Sequence, residues 1–441
     1  MQQNIFGTDG IRKRIGTHPL TIESLPRLGI AIAQWAREKI GHNPTILLGH
    51  DTRQSCSFVK SALQAGLLGN SAHVYDANII PTPAICAIIN TSTQFDIGII
   101  ISASHNHWQD NGIKIVDREH GKLSHADELR ITTLFNTLDC NVPYHELGQL
   151  HNFPRATEHY KAALRLFFPP LFLTGKTIAL DCANGATSTI AFEIFQEFGA
   201  QLIMINHHPN GTNINEQSGA LHPATLQKAV MEYNADAGFA FDGDGDRVIA
   251  VSKNGEIKDG DDILALLLDH PLYAHAPSII GTVMTNQGLD AHLHRKNKTL
   301  LRASVGDKFV SERMEQEKSI IGGEQSGHII LHDYMNTGDG IFTALRILET
   351  LLISTNWGMH TFAKFPQVLI NIPVGTKKDL TLPHLADIIQ QHENLLPQGR
   401  LLVRYSGTES VLRILVEDSD AAMAHTIGTQ LSEQLSIQLC V

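Results

Sequence analysis

The chain has 441 residues, 42% hydrophobic and 18% charged, a balance that excludes a largely disordered protein, and its length excludes one core of ordinary size. Its 34 Lys and Arg against 45 Asp and Glu give a formal net charge of −11, which argues against a broad nucleic-acid or anionic-membrane surface, so an anionic ligand must meet a local cluster of basic groups. No apolar run approaches the ~20 residues that span a bilayer, no secretion signal opens the chain, and five scattered cysteines without a C-x-x-C pair read as reduced thiols of a cytoplasmic protein.

Short apolar runs alternate with longer amphipathic segments, the pattern of α/β units. A helix is predicted over 25–39, a strand over 45–49, a helix over 58–68, a buried strand over 96–101 and a helix over 126–138. The polar stretch 139–154, with two prolines, suggests a boundary near residue 153. Strands over 177–180, 201–205 and 237–241 and a helix over 225–233 follow, up to the turn signal Lys253-Asn254-Gly255. A strand over 278–283 and a helix over 339–352 precede Phe365-Pro366, where a compact tail begins. These breaks divide the chain into residues 1–152, 153–253, 254–365 and 366–441.

Two predicted strands run directly into polar loops. In open α/β sheets ligands bind beyond the carboxyl ends of the strands, so both loops lie where chemistry is expected. After 237–241 comes Asp242-Gly243-Asp244-Gly245-Asp246-Arg247. Three carboxylates at alternate positions can direct their oxygens at one hard cation, Mg²⁺ or Ca²⁺. An EF-hand would need Gly and Glu where Arg247 and Lys253 stand. After 96–101 comes Ser102-Ala103-Ser104-His105-Asn106, with Lys114 ten residues beyond Ser104. It is not a G-x-S-x-G elbow, so acyl transfer is a poor reading. Taken alone, the segment suits a capped helix start equally well; the acidic loop tips it toward a serine that carries a phosphoryl group among cations.

Two later segments complete the set. Arg404-Tyr405-Ser406-Gly407-Thr408-Glu409, with Arg413, offers a guanidinium fork, hydroxyls and a glycine-opened backbone to a phosphate monoester. Gly322-Gly323-Glu324-Gln325-Ser326-Gly327-His328 presents a carboxylate, a hydroxyl and an imidazole suited to sugar hydroxyls, though by itself the segment is a weak signal.

In this order the four segments resemble the α-D-phosphohexomutase superfamily, and the resemblance covers essentially the whole chain. Phe6-Gly7-Thr8-Asp9-Gly10-Ile11-Arg12, Gly281-Thr282-Val283-Met284-Thr285-Asn286, Val305-Gly306-Asp307 and the Gly322 loop are similar to its phosphoglucosamine mutase branch. The resemblance implies an α/β protein of four domains around a central cleft, three related α/β domains plus a smaller C-terminal α+β domain. It implies that Ser104 carries the phosphoryl group and that Asp242, Asp244 and Asp246, with a phosphoserine oxygen of Ser104, hold one Mg²⁺ per chain. Lys114 and His328 become candidates for proton transfer, with Arg12 and Arg247 near the transferring group. Glu324 and Ser326 would read the sugar, and Arg404, Ser406, Gly407, Thr408 and Arg413 would hold the non-reacting phosphate.

The implied reaction interconverts glucosamine 6-phosphate and glucosamine 1-phosphate through a 1,6-bisphosphate, primed by glucosamine or glucose 1,6-bisphosphate, and supplies UDP-N-acetylglucosamine for cell-wall synthesis. A small sugar phosphate is the implied partner, with no nucleic acid or membrane, and a homodimer is compatible with the resemblance. Alternative readings are a phosphomannomutase or phosphoglucomutase, a sugar phosphatase, and a non-catalytic sugar-phosphate sensor. Departures from the family pattern are His107 and Ser410 where proline is usual and Lys13 where glycine is common. They bear on loop rigidity, since proline restricts the chain.

Overall fold

The strands form four sheets in chain order, in a computed structural model that describes residues 4–7, 9–118, 121–138, 147–406 and 410–439. In the first sheet Thr45–His50 lies parallel between His73–Ile79 and Ile97–Ile101. Ile97–Ile101 is buried along its whole length, which accounts for its uninterrupted apolar sequence: a strand covered on both faces has no polar side to show. Asp110–Asp117 pairs antiparallel with it, and Ile11–Arg14 pairs antiparallel beyond. The register sets Arg12 opposite Gly112, two residues from Lys114, so Arg12 and Lys114 share one face.

The second sheet places Ala237–Phe241 between the parallel strand Thr177–Asp181 and the antiparallel strand Val248–Ser252. Residues 253–255, where the sequence predicts a boundary, form the turn by which Val248–Ser252 leads into the short strand Ile257–Lys258, with Gly255 at φ 79°. The third sheet carries Ser278–Thr282 between Thr299–Ala303 and Ile321–Gly323, with Ile329–Leu331 outermost.

The predicted helices appear as Ser24–Ile40, Cys56–Gly69, His125–Thr137, Ala224–Glu232 and Gly340–Ser354. A continuous core runs through the second and third sheets and reaches helix Thr82–Thr91 beside the first. The tail is built differently. Its three antiparallel strands Gln367–Pro373, Val411–Glu417 and Arg400–Tyr405 pack on Pro383–Glu393 and Ala421–Leu439 around a core of their own. Arg400 ties this unit to the third sheet: it pairs with buried Glu417 and donates to the carbonyls of Val283 (2.7 Å) and Thr285 (2.9 Å). No helix among the described residues is long and apolar enough to cross a membrane. Cys56, Cys86 and Cys182 are buried free thiols, and burial pushes Cys86 and Cys182 up to about 12; Cys140 and Cys440 lie outside the described residues.

Candidate active site

The loops at the ends of Ile97–Ile101 and Ala237–Phe241 meet face to face. Glycine allows the close approach: a Cβ on Gly243 would stand 2.6 Å from the Ser104 carbonyl oxygen. Ser104 is buried and holds φ 50°, a left-handed conformation rare for serine. Its N–H donates to Ser102 Oγ (2.9 Å) and its hydroxyl donates to Asp242 Oδ2 (2.6 Å). Helix Thr82–Thr91 supports the acidic loop from the first sheet: the Thr82 N–H donates to the Asp244 carbonyl (2.9 Å) and its hydroxyl to Asp244 Oδ2 (2.6 Å).

Asp242, Asp244 and Asp246 each bring a carboxylate oxygen within 4.8 Å of the others. Burial, then repulsion from Asp246 and Asp244, pushes the Asp242 carboxyl well above its usual range. Asp246 is held well below that range: burial opposes its charge, but Lys114, His328 and Arg247 outweigh it. Lys114 Nζ lies 2.9 Å from Asp244, 3.1 Å from Asp246 and 3.0 Å from Asp9. Burial works against its charge too, yet these carboxylates hold the ammonium well above its ordinary pKa.

Asp244 Oδ1 and Asp246 Oδ1 are buried without a hydrogen-bond partner among the described residues. Buried, mutually repelling carboxylates with unmatched oxygens are a poor resting arrangement but a good oxygen set for a divalent cation, so the residues present fit one.

Beside this centre opens a cleft of about 520 Å³ lined by Arg12, Asp246, Arg247, Gly306, Glu324 and His328. Five predicted site residues from the first three sheet units therefore converge on it. Glu324 Oε1 accepts from the Gly306 N–H (2.8 Å), and Gly306 sits at φ 127° to make the turn. His328 Nε2 accepts from the Gly338 N–H (3.0 Å), while its Nδ1 stands 3.8 Å from Asp246 Oδ1. Ser326 Oγ is buried without a partner among the described residues. Burial first, then Arg247 and Arg12, lowers His105 to about 4, so its imidazole is neutral at physiological pH beside the Ser104 hydroxyl at 3.3 Å.

Arg404, Ser406 and Arg413 are not brought to this cleft; they stand on the tail. Arg404 and Arg413 face each other in register on neighbouring strands, which sets two guanidinium groups side by side on the tail. Gly407 and Thr408 lie outside the described residues. Sequence reasoning gave no role to three residues found here. Lys377 donates to the Ser406 carbonyl (2.6 Å) and adds a third cation to the tail cluster. Asp9 contacts Arg12, Lys114 and Lys122, and these cations hold it well below its usual range against the opposing effect of burial. Arg53 reaches the Ser104 carbonyl from behind. Asp9 lies in a motif the sequence reading had noted, whereas Arg53 and Lys377 carried no local signal.

Four family descriptions match in the order of the four sheets: phosphoglucomutase/phosphomannomutase alpha/beta/alpha domain I over residues 3–141, domain II over 170–255, domain III over 259–369, and the C-terminal domain over 369–434. A solved phosphoglucomutase/phosphomannomutase family protein from Burkholderia thailandensis shares the fold with a TM-score of 0.80 at 22% identity, covering 98% of this chain and 97% of that one. N-acetylphosphoglucosamine mutase of Aspergillus fumigatus, solved with GlcNAc-6P and magnesium, shares it with a TM-score of 0.64 at 16% identity, covering 98% and 95%. The chain belongs to the phosphoglucomutase/phosphomannomutase family, a class of phosphohexomutases. A phosphoglucosamine mutase from Lawsonia intracellularis is 38% identical over 448 residues, and one from Acinetobacter baylyi is 40% identical over 443, each match covering 98% of both chains. Within the family it stands with these phosphoglucosamine mutases, which makes it an isomerase that moves a phosphoryl group within a sugar.

Proposed function

We propose that this chain interconverts glucosamine 6-phosphate and glucosamine 1-phosphate in the cytoplasm, with Ser104 as the phosphoryl carrier. The observation that carries the proposal is the Ser104 hydroxyl 2.6 Å from Asp242, inside a buried triad of carboxylates that fits a divalent cation. Asp242, Asp244 and Asp246 would hold Mg²⁺, one per chain, which supplies neutralisation of phosphoryl charge when bound. A 1,6-bisphosphate of glucosamine or glucose is the proposed primer of Ser104.

In the forward half-reaction the bond from Ser104 Oγ to phosphorus breaks and a bond from phosphorus to the free sugar hydroxyl forms. The proton of that hydroxyl leaves to the enzyme and one returns to Ser104 Oγ. Lys114 and His328 are the proposed groups for these proton movements, since both face the acidic loop. Arg12 and Arg247 stabilise charge on the moving phosphoryl group from the cleft wall. The bisphosphate turns end over end and the second phosphoryl group returns to Ser104. Glu324 and Ser326 read the sugar. Arg404, Ser406 and Arg413, with Gly407 and Thr408 of the same motif, grip the phosphate that is not reacting.

A coupled assay with Mg²⁺ and a bisphosphate primer tests the substrate by comparing glucosamine 6-phosphate, glucose 6-phosphate and mannose 6-phosphate. A preference for either neutral sugar would move the reading to a phosphoglucomutase or phosphomannomutase.

A further inference from the structure

Ser104 is held in its left-handed conformation by groups that never face the cleft. Arg53 is fully buried, and its guanidinium uses every N–H it has. Nε donates to Asp51 Oδ2 (2.9 Å). One terminal nitrogen donates to the carbonyls of Ser104 and Asn106, both at 2.8 Å. The other donates to the carbonyls of His107 (2.5 Å) and Asp110 (3.0 Å). Four acceptors within seven consecutive residues thus converge on one planar fork. Asp51 is fixed in turn: it accepts from the Ser102 hydroxyl (2.5 Å) and from the Arg53 N–H (2.9 Å). From the second sheet unit, Asn215 Nδ2 donates to the carbonyls of Ser104 (2.9 Å) and Asn106 (3.2 Å), so the loop is clasped from two sides.

We infer that Arg53, assisted by Asn215, is a positioning residue for phosphoryl transfer: it fixes the backbone of residues 104–110 and thereby the direction of Ser104 Oγ toward Asp242. The inference rests on the functional reading above. Ser104 Oγ has one rotatable bond to its backbone, so its direction is only as well defined as that backbone. A reacting oxygen displaced by about 1 Å slows transfer on the order of 100-fold.

The test is steady-state kinetics of the full chain, primed with a bisphosphate and saturated with Mg²⁺. Arg53→Lys keeps a cation beside Asp51 but cannot reach four carbonyls in one plane. It is expected to lower kcat by roughly 10- to 100-fold while the KM for glucosamine 6-phosphate stays within about twofold, because the clasp touches no part of the sugar. Asn215→Ala leaves the buried Arg53–Asp51 pair intact and decides the matter if Arg53→Lys does not fold; it should lower kcat in the same direction, again without a change in KM. Wild-type-like kcat in Arg53→Lys or in Asn215→Ala overturns the inference. Wild-type turnover tests the functional reading itself and the ratio of variant to wild type tests the clasp, so the two fail separately.

Discussion

Arg404 provides the sharpest test of how one cleft serves two substrate orientations. On the proposed reading its guanidinium holds whichever phosphate is not reacting, so Arg404→Ala should impair glucosamine 6-phosphate and glucosamine 1-phosphate alike. The size of the effect follows from its surroundings. Hydrogen bonds to a charged partner contribute about 1.5 to 3 kcal/mol each, and a full guanidinium–phosphate fork would exceed that. Arg413 stands directly opposite in register and Lys377 reaches the neighbouring Ser406, so a phosphate keeps two cations after Arg404 is gone. That compensation places the loss near the lower end, about 2 to 3 kcal/mol in kcat/KM, or roughly 30- to 150-fold. The assay is initial-rate kinetics in both directions, with intact-protein mass confirming that Ser104 is still phosphorylated. Impairment with one substrate only would mean that a different group holds the phosphate after reorientation, and the single grip would have to be abandoned.

Ser104→Ala should leave the fold intact and remove mutase turnover together with the one phosphate expected on the wild type by intact-protein mass; turnover near the wild-type level would rule out the covalent carrier. Asp244→Asn should weaken the protection that added Mg²⁺ gives against thermal unfolding, and EDTA should silence the wild type reversibly, whereas full activity in metal-free buffer would show the acidic loop to be misassigned. Asp261 supplies a pH test at a residue that does not line the cleft. Burial, then the nearby Asp259, raises its pKa from 3.8 to about 7. The folded state therefore binds the extra proton between those values, and stability is lost as pH rises through that window. The contribution is on the order of 4 kcal/mol, from a rise of about 3 in pKa at about 1.4 kcal/mol per unit. Asp261→Asn should be matched with the wild type near pH 4 and increasingly more stable than it toward pH 7 in urea titrations; a constant difference across the range would refute the assignment.

The elements that position the site were legible because their sequences are simple. Ile97–Ile101 and Ala237–Phe241 are unbroken apolar runs ending in polar loops, and runs of that kind have few structures open to them. The residue types of the acidic loop were equally plain, since alternating aspartates and glycines have a narrow range of uses. What remained hidden was long-range pairing. Arg53 lies 51 positions from Ser104 and Asn215 lies 111 positions away, and neither is marked by a local pattern. Thr82 supports Asp244 across 162 positions for the same reason.

The joint made by Arg400 has a bearing on which positions can drift during evolution. Its acceptors on the third sheet unit are main-chain oxygens of Val283 and Thr285, which every amino acid supplies. Exchanges of those two side chains leave the joint its partners, while Arg400 and buried Glu417 have no such freedom, because one alone would strand a charge inside the tail. The side chains at 283 and 285 can therefore diversify while the unit that carries Arg404 keeps its attachment to the third sheet.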